Sequence, residues 1–292
     1  MQAVGAAIAG LQADSPLVVV HGGGKAIDAA LARAGLAKTQ VDGLRVTDEA
    51  TLDVVVSVLA GLVNTRLVAA VTAAGGGGVG LTGADGGICI VTKAMPLLST
   101  AGTMVDLGRV GVPVAGPAPD LLGELCRSGY IPIVASIGTS RAGELYNVNA
   151  DTLAAHLAGA LDAERLIVAG STAGVLDEAG RTIPSLDLAG IDRLVTAGTA
   201  SAGMLAKLAA CRDALAHGVR EVIVACGLDL ADLTEIVRSG SKAGVSGCTR
   251  IARRGGSARQ PRPAGVRGPA DPGRPKVRRP RAVPTRWRGR RP

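Results

Sequence analysis

The first clear pattern along the chain is an apolar run at 17–20, followed at once by His21, by Gly22, Gly23 and Gly24, and by a segment in which Ile27, Leu31 and Ala34 recur at helical spacing. Four consecutive apolar residues closed by glycine predict a fully buried strand of a parallel sheet, and the recurrence after it predicts a helix over 25–35. Upstream, residues 2–13 carry a helical pattern that ends before Pro16. Further on, Thr47 is the expected cap of a long helix over 48–74. Leu52, Val55, Val56, Leu59, Val63 and Leu67 share one face of it, widened by Val54, Val58 and Leu62. A helix apolar over so much of its surface is buried or forms an interface.

Residues 75–87 are dense in glycine, with room for a short strand at Val79 and Leu81. The pattern then predicts strands at 88–92, 130–137, 166–169 and 221–225 and a hairpin across 105–111. It predicts helices at 119–128, 152–161, 186–197 and 230–237, and another from Gly203 and Met204 to His217. Repeated alternation of helix and strand argues an α/β domain whose mainly parallel sheet is covered on both faces.

Composition sharpens this picture. Of 292 residues 47% are apolar, yet Phe is absent and there are only one Trp and two Tyr, so the core is Ala, Val, Leu and Ile. From residue 252 onward Arg, Pro and Gly take over and periodicity stops. This tail holds 14 of the 32 Lys and Arg and one of the 24 Asp and Glu, a net of +13, so residues 1–251 carry −5 of the total +8. It cannot bury enough to order itself, and 252–292 is expected to be disordered. Its charge would hold nucleic acid only non-specifically, through phosphates and with strong salt dependence. The five cysteines form no C-x-x-C pair and stand at no ligand spacing to His21, His156 or His217. Free thiols in a reducing cytoplasm and no metal site are the expectation. The longest strongly apolar run, 54–63, is about half a membrane span, so no transmembrane segment is expected.

Candidate chemistry gathers where open α/β sheets bind ligands, at the carboxyl ends of strands. Gly22, Gly23 and Gly24 offer N–H donors at a helix start, either as an anion cradle or as a tight turn that only packs. Arg45 offers a fork for a carboxylate or phosphate, or is a surface charge. Asn147 and Asn149 offer amides, or form turns. Asp151 opens a helix, where an N-cap is its plainest role. Lys207 sits in the first turns of another helix. Together they suit anion binding and phosphoryl transfer.

Seven stretches now match a known pattern: VVVHGGGKAID (18–28), DGLRVTD (42–48), GLTGADGG (80–87), VDLGRVG (105–111), SGYIPIVASIG (128–138), ELYNVNAD (144–151) and AGMLAKLAA (202–210), with CTRI at 248–251. Over residues 2–251 the chain resembles the N-acetylglutamate kinases of the amino acid kinase superfamily. The resemblance implies an open αβα sandwich in the cytoplasm. Its amino-terminal lobe, to about 160, would bind N-acetyl-L-glutamate, and its second lobe, about 161–251, would bind ATP with Mg2+. By position, Gly22, Gly23 and Gly24 would meet the substrate and the transferring phosphoryl. Arg45, Asn147 and Asn149 would hold the amino acid, and Lys207 would stabilise the transition state. Asp151 would orient catalytic lysines, and Gly203, Met204 and Ser171 would lie by the nucleotide. Helix 48–74 would make a homodimer. A ligand-binding homologue without turnover, or a related kinase acting on another carboxylate, are the alternatives.

Three departures stand out, one being that the tail 252–292 lies beyond the family's end. The resemblance implies a first strand with a Lys-x-Gly-Gly motif, which residues 1–292 do not contain. Activity is therefore expected to be impaired. The family also has Thr or Ser followed by Asp where Gly170 and Ser171 stand. A misassigned start and a lost stop would produce both the late beginning and the basic tail.

Overall fold

The computed structural model describes residues 1–253 except 13, 117–118, 198–201, 228–233, 237 and 239–246. Met1–Arg254 form one compact unit. The basic tail beyond 253 and most of the helix expected at 230–237 lie outside the described residues.

The chain opens with α1 (Gln2–Gln12), β1 (Val19–His21) and α2 (Gly24–Arg33). A ribbon of β2 (Gln40–Val41) and β3 (Leu44–Arg45) turns at Asp42 and Gly43, both with positive φ. Next, α3 (Glu49–Val56), a π-helical segment (Ser57–Val63) and α4 (Asn64–Ala73) run on as one helix. Then come β4 (Gly78–Thr82), β5 (Val91–Lys93), β6 (Leu97–Leu98), β7 (Met104–Val105), β8 (Gly111–Pro113) and α5 (Asp120–Arg127). They are followed by β9 (Ile131–Ala135), β10 (Ile137–Thr139), β11 (Leu145–Asn147) and α6 (Ala150–Ala160). The rest is β12 (Arg165–Gly170), β13 (Ser185–Leu186), α7 (Leu188–Ala197), α8 (Ala202–Ala216), β14 (Glu221–Cys226) and β15 (Cys248–Ala252).

Two sheets organise these elements. The first has the order β1-β9-β4, all parallel, with β9 buried along its whole length between helices. The second has the order β12-β14-β15-β13, parallel except where β15 runs against β14. This is the helix-covered, mainly parallel α/β class that the alternation predicts. Helix α6 serves both halves. Leu153 and Leu157 enter the cluster with Val134 and Tyr146, while Ala155 and Ala158 enter the one with Leu208, Val222 and Val224. The residue that opens this helix is therefore fixed relative to both sheets.

Several local expectations change. β1 starts at Val19, and its residues are half-buried because it lies at the edge of the three-stranded sheet among the described residues. The helix cap is Asp48, whose carboxylate accepts from the Thr51 N–H at 2.8 Å. Thr47 is instead drawn into a buried bridge, its N–H donating to Leu107 O and its carbonyl accepting from the Arg109 N–H. The segment 105–111 is not a hairpin: β7 pairs with β6, and β8 with β5. The strand expected at 88–92 is β5, shifted to 91–93. The strand expected at 130–137 breaks at Ser136 into β9 and β10, which turn to different partners. The CTRI stretch forms β15, which the pattern did not predict.

Among the described residues, the helix over Glu49–Ala73 is long and apolar enough to cross a membrane, with a mean hydropathy of 2.0, although the run 54–63 alone is not. Here it packs against α1, α2, β4 and β9. The five cysteines are free, and burial pushes the thiols of Cys89 and Cys211 up to about 12.

Candidate active site

The glycine turn is shaped by what surrounds it. A Cβ on Gly22 would lie 3.3 Å from the Cβ of Ala150, and one on Gly23 would lie 2.8 Å from Leu59 and 3.3 Å from Val63. Both of those side chains belong to the π-helical segment. The first two glycines thus let β1 descend close to α6 and to the long helix. Gly24 is different: nothing lies within 4 Å of a Cβ placed there. Among the described residues, the N–H groups of Gly23 and Gly24 donate to no protein acceptor. They stand at the positive end of α2, an arrangement suited to an anion.

Arg45 stands beside this helix. Its Nη2 is paired with Asp28 Oδ1, and Lys38 Nζ reaches the other oxygen of Asp28 at 2.7 Å. Burial pushes the Asp28 carboxyl up, but the hydrogen bonds from Lys38 and Arg45 outweigh it and hold the group below the usual range. The Arg45 side chain is only 8% exposed, and its Nη1 is buried with no partner. An unpaired buried donor costs about 1–3 kcal/mol, and more on a charged group, so Arg45 is poised for an acceptor from outside the chain. Asp28 lies four residues beyond Gly24, about 6 Å along α2. Through Asp28, Arg45 is thus held to the helix that opens at the glycine turn.

The backbone next to Arg45 is tied to Asn147. The Asn147 Nδ2 donates to Thr47 Oγ1 at 3.1 Å, and its backbone N–H donates to Arg109 O at 2.9 Å. Segment 108–110 threads between Thr47 and Asn147 through two parallel bridges. Gly108 permits this: its φ is +72°, and a Cβ there would sit 2.3 Å from Thr47 O. Arg109 adds ion pairs to Glu49 and Glu144.

Two residues on, Asn149 caps α6, its Oδ1 accepting from the N–H groups of Asp151 and Thr152 at 2.9 and 3.1 Å. The capping role thus falls on Asn149 and frees Asp151. Only the amide nitrogen of Asn149 is left for a ligand. Asp151 faces α8, where Lys207 Nζ lies 3.0 Å from each of its carboxylate oxygens. Lys207 also passes Gly170 at the end of β12, its Cε 3.5 Å from a Cβ built there. Ser171 follows at the same strand end and is exposed. Gly203 and Met204 lie one turn before Lys207; Gly203 is open, and Met204 leans on the core of the second sheet.

The structure therefore places Gly22 against Ala150, the neighbour of Asp151, pairs Asp151 with Lys207 beside Gly170, and ties Asn147 to Thr47, two residues from Arg45. Sequence reasoning passed over Asp28, Asn64 and Gly108 and gave Thr47 a capping role only. Asp28 closes the VVVHGGGKAID stretch, one residue past the core-facing Ile27. Among the described residues, no three His, Cys, Asp or Glu side chains assemble as a metal-ligand set.

Free N–H groups at a helix start, a buried arginine held to that helix through Asp28 and a carboxylate-held lysine suit an α/β phosphotransferase. Comparison with known proteins agrees. Residues 1–226 match the model of the amino acid kinase family. An acetylglutamate kinase of Aromatoleum aromaticum is 42% identical over 212 residues, 72% of this chain and 70% of that one. The N-acetylglutamate synthase of Neisseria gonorrhoeae, solved with coenzyme A and N-acetyl-glutamate, superposes with a TM-score of 0.71 at 25% identity. That match covers 86% of this chain and 55% of the synthase. Carbamate kinase from Giardia lamblia, bound to AMP-PNP, shares the fold at 14% identity with a TM-score of 0.59, over 86% of this chain and 90% of that one. The chain belongs to the amino acid kinase family, and within it to the acetylglutamate kinases.

Proposed function

We propose that this chain transfers the γ-phosphoryl group of ATP to the γ-carboxylate of N-acetyl-L-glutamate, a step of arginine biosynthesis. The observation that carries this reading is Arg45, whose Nη1 is buried and unpartnered and whose Nη2 is held by Asp28 on the helix that opens at the glycine turn. A substrate carboxylate supplies the missing acceptor. The acceptor carboxylate of the reaction is already ionised at neutral pH and needs no general base. The barrier is the approach of two anions, so positioning and positive charge do the work.

In this reading Arg45 grips the α-carboxylate, with Asn147 and the amide nitrogen of Asn149 nearby. The N–H groups of Gly22, Gly23 and Gly24 face the transferring phosphoryl and the acceptor. Lys207 neutralises charge that develops on the phosphoryl, and Asp151 holds Lys207 in place without taking a proton. Gly203, Met204 and Ser171 border the nucleotide, and Mg2+ enters bound to the ATP phosphates. The lobe to about 160 takes the amino acid, and 161–251 takes ATP. Helix 49–73 would pair two copies in the cytoplasm: its open face carries Ser57, Gly61 and Thr65 at four-residue spacing, small enough for a second helix to approach closely.

The test is ADP release with N-acetyl-L-glutamate, glutamate and aspartate as acceptors. It is run on this chain and on a form extended by an amino-terminal strand bearing Lys-x-Gly-Gly. Turnover with the acetylated acceptor alone is expected, faster in the extended form. No turnover with it in either form overturns the reading.

A further inference from the structure

His21, between β1 and the glycine turn, is held by a network that leaves its ring no freedom. Its Nδ1 lies 3.0 Å from Gly22 O, and its Nε2 lies 3.0 Å from Asn64 Nδ2. Asn64 is 4% exposed and stands where the π-helical segment passes into α4. The same Nδ2 donates to Ile133 O at 2.8 Å and lies 3.3 Å from Leu81 O. These backbone carbonyls can only accept, so this end of the Asn64 side chain must be the donating nitrogen. Its two hydrogens serve Ile133 O and, shared, Leu81 O and His21 Nε2; because an amide NH2 cannot accept, His21 Nε2 must be the bare, accepting nitrogen. The ring proton is left on Nδ1, where it donates to Gly22 O.

We propose that His21 is a positioning residue for the kinase reaction: as a neutral, Nδ1-protonated imidazole fixed by Asn64, it pins the Gly22 carbonyl and so aims the Gly23 N–H at the transferring phosphoryl. In a planar trans peptide the C=O of Gly22 and the N–H of Gly23 point in opposite directions. Holding the oxygen against the ring therefore turns the N–H outward. A glycine pair has little intrinsic preference for one peptide orientation, so an external restraint has work to do here. Burial, which disfavours a charged ring, supports the neutral form. Asn64 is itself clamped: a Cβ on Gly80 would fall 2.1 Å from its Oδ1, so only glycine in β4 leaves room for it. The restraint thus runs from β4 and β9 through Asn64 and His21 to one peptide of the cradle.

This inference rests on the phosphotransfer reading, and the experiment separates the two. Steady-state kinetics with ATP and N-acetyl-L-glutamate are measured on the unaltered chain, on His21→Ala, and on His21→Asn, whose amide N–H can replace Nδ1 but cannot reach Asn64. Kinetics are run on whichever amino-terminal form is the more active. Long-range 1H–15N spectra of the unaltered chain report the His21 tautomer. Expected are a fall in kcat of about 10- to 100-fold in His21→Ala with less than about a threefold change in either KM, partial recovery in His21→Asn, and a proton on Nδ1. Unchanged kcat in His21→Ala, a loss confined to KM, no recovery in His21→Asn, or a proton on Nε2 overturns the proposal. If the unaltered chain turns over no acetylglutamate, the functional reading fails. The positioning claim is then decided by the tautomer and by the Gly23 amide resonance, which must shift in His21→Ala.

Discussion

Lys207 places its ammonium 3.0 Å from both carboxylate oxygens of Asp151, joining α8 of one sheet to the first turn of the helix shared by both. The pair is about one-fifth exposed, so its worth to folding is modest, and in the proposed reaction its value lies in aiming a charge. Lys207→Ala is expected to lower kcat about 100- to 1000-fold, the usual cost of losing one preorganised charge at a reacting anion. Asp151→Asn keeps the shape but loosens the ammonium, and at least about a tenfold loss in kcat is expected with KM for acetylglutamate little changed. Stopped-flow phosphoryl transfer on both variants checks this. A fully active Asp151→Asn would remove the orienting role.

Arg45 is expected to act on affinity. Lysine at this position keeps one charge but cannot span Asp28 and a ligand together. Charge-assisted hydrogen bonds contribute about 1.5–3 kcal/mol, so Arg45→Lys should raise KM for acetylglutamate about 10- to 100-fold while kcat falls much less. A readout independent of turnover is available. Ligand that binds only the folded chain raises its melting temperature, and acetylglutamate should do so for the native protein far more than for Arg45→Lys. Equal shifts in both would exclude Arg45 from the binding site.

The three glycines should separate into two kinds. Gly24→Ala adds a methyl where no protein atom lies within 4 Å, and its φ is not in the left-handed region. Its melting temperature should match the native one, while kcat/KM falls at least about tenfold because the methyl occupies ligand space. Gly23→Ala drives the same methyl to 2.8 Å from Leu59 and 3.3 Å from Val63. It should lose activity and also about 1–3 kcal/mol of stability, the usual cost of overpacking. Thermal melts beside initial rates distinguish the pair; an active Gly24→Ala would mean the cradle only packs.

How much of this could be read beforehand follows from what each residue depends on. The helices, most strands and the glycine turn rest on local periodicity and were legible. The capping of α6 was not: Asn149 and Asp151 are both good caps, and the choice is made by Lys207, 56 residues away, which holds Asp151 elsewhere. Thr47 lost its expected capping role in the same way, because Leu107 and Arg109 claim its backbone. The hairpin expected at 105–111 failed because Gly108 serves a close approach to Thr47 and not a turn between paired strands. Asn64 simply follows the apolar run 54–63 in the sequence. Only the fold shows it reaching two carbonyls of neighbouring strands and the ring of His21.

Two half-buried imidazoles should make the fold sensitive to mild acid. Burial lowers the His21 pKa below its ordinary 6.5, and burial, reinforced by the charge of His217, lowers that of His156. Each ring is thus harder to protonate in the native chain than in the unfolded one. Well above pH 6.5 both states hold the rings neutral, and the contribution to stability is fully present. As pH falls through 6.5 the unfolded chain takes up protons first, and stability declines until pH has passed the folded values. Carboxylates such as Asp28 and Glu221 are held below their ordinary 3.8 and 4.5, so their own losses come at lower pH still. Urea midpoints measured at pH 7.5, 6.5 and 5.5 should therefore fall slightly between the first two, the unfolded rings being half protonated at 6.5, and further at the third. His156→Gln should flatten part of that drop, since an uncharged amide has no proton to gain. A midpoint that holds steady or rises between pH 6.5 and 5.5 would show that these rings protonate as readily in the fold as outside it.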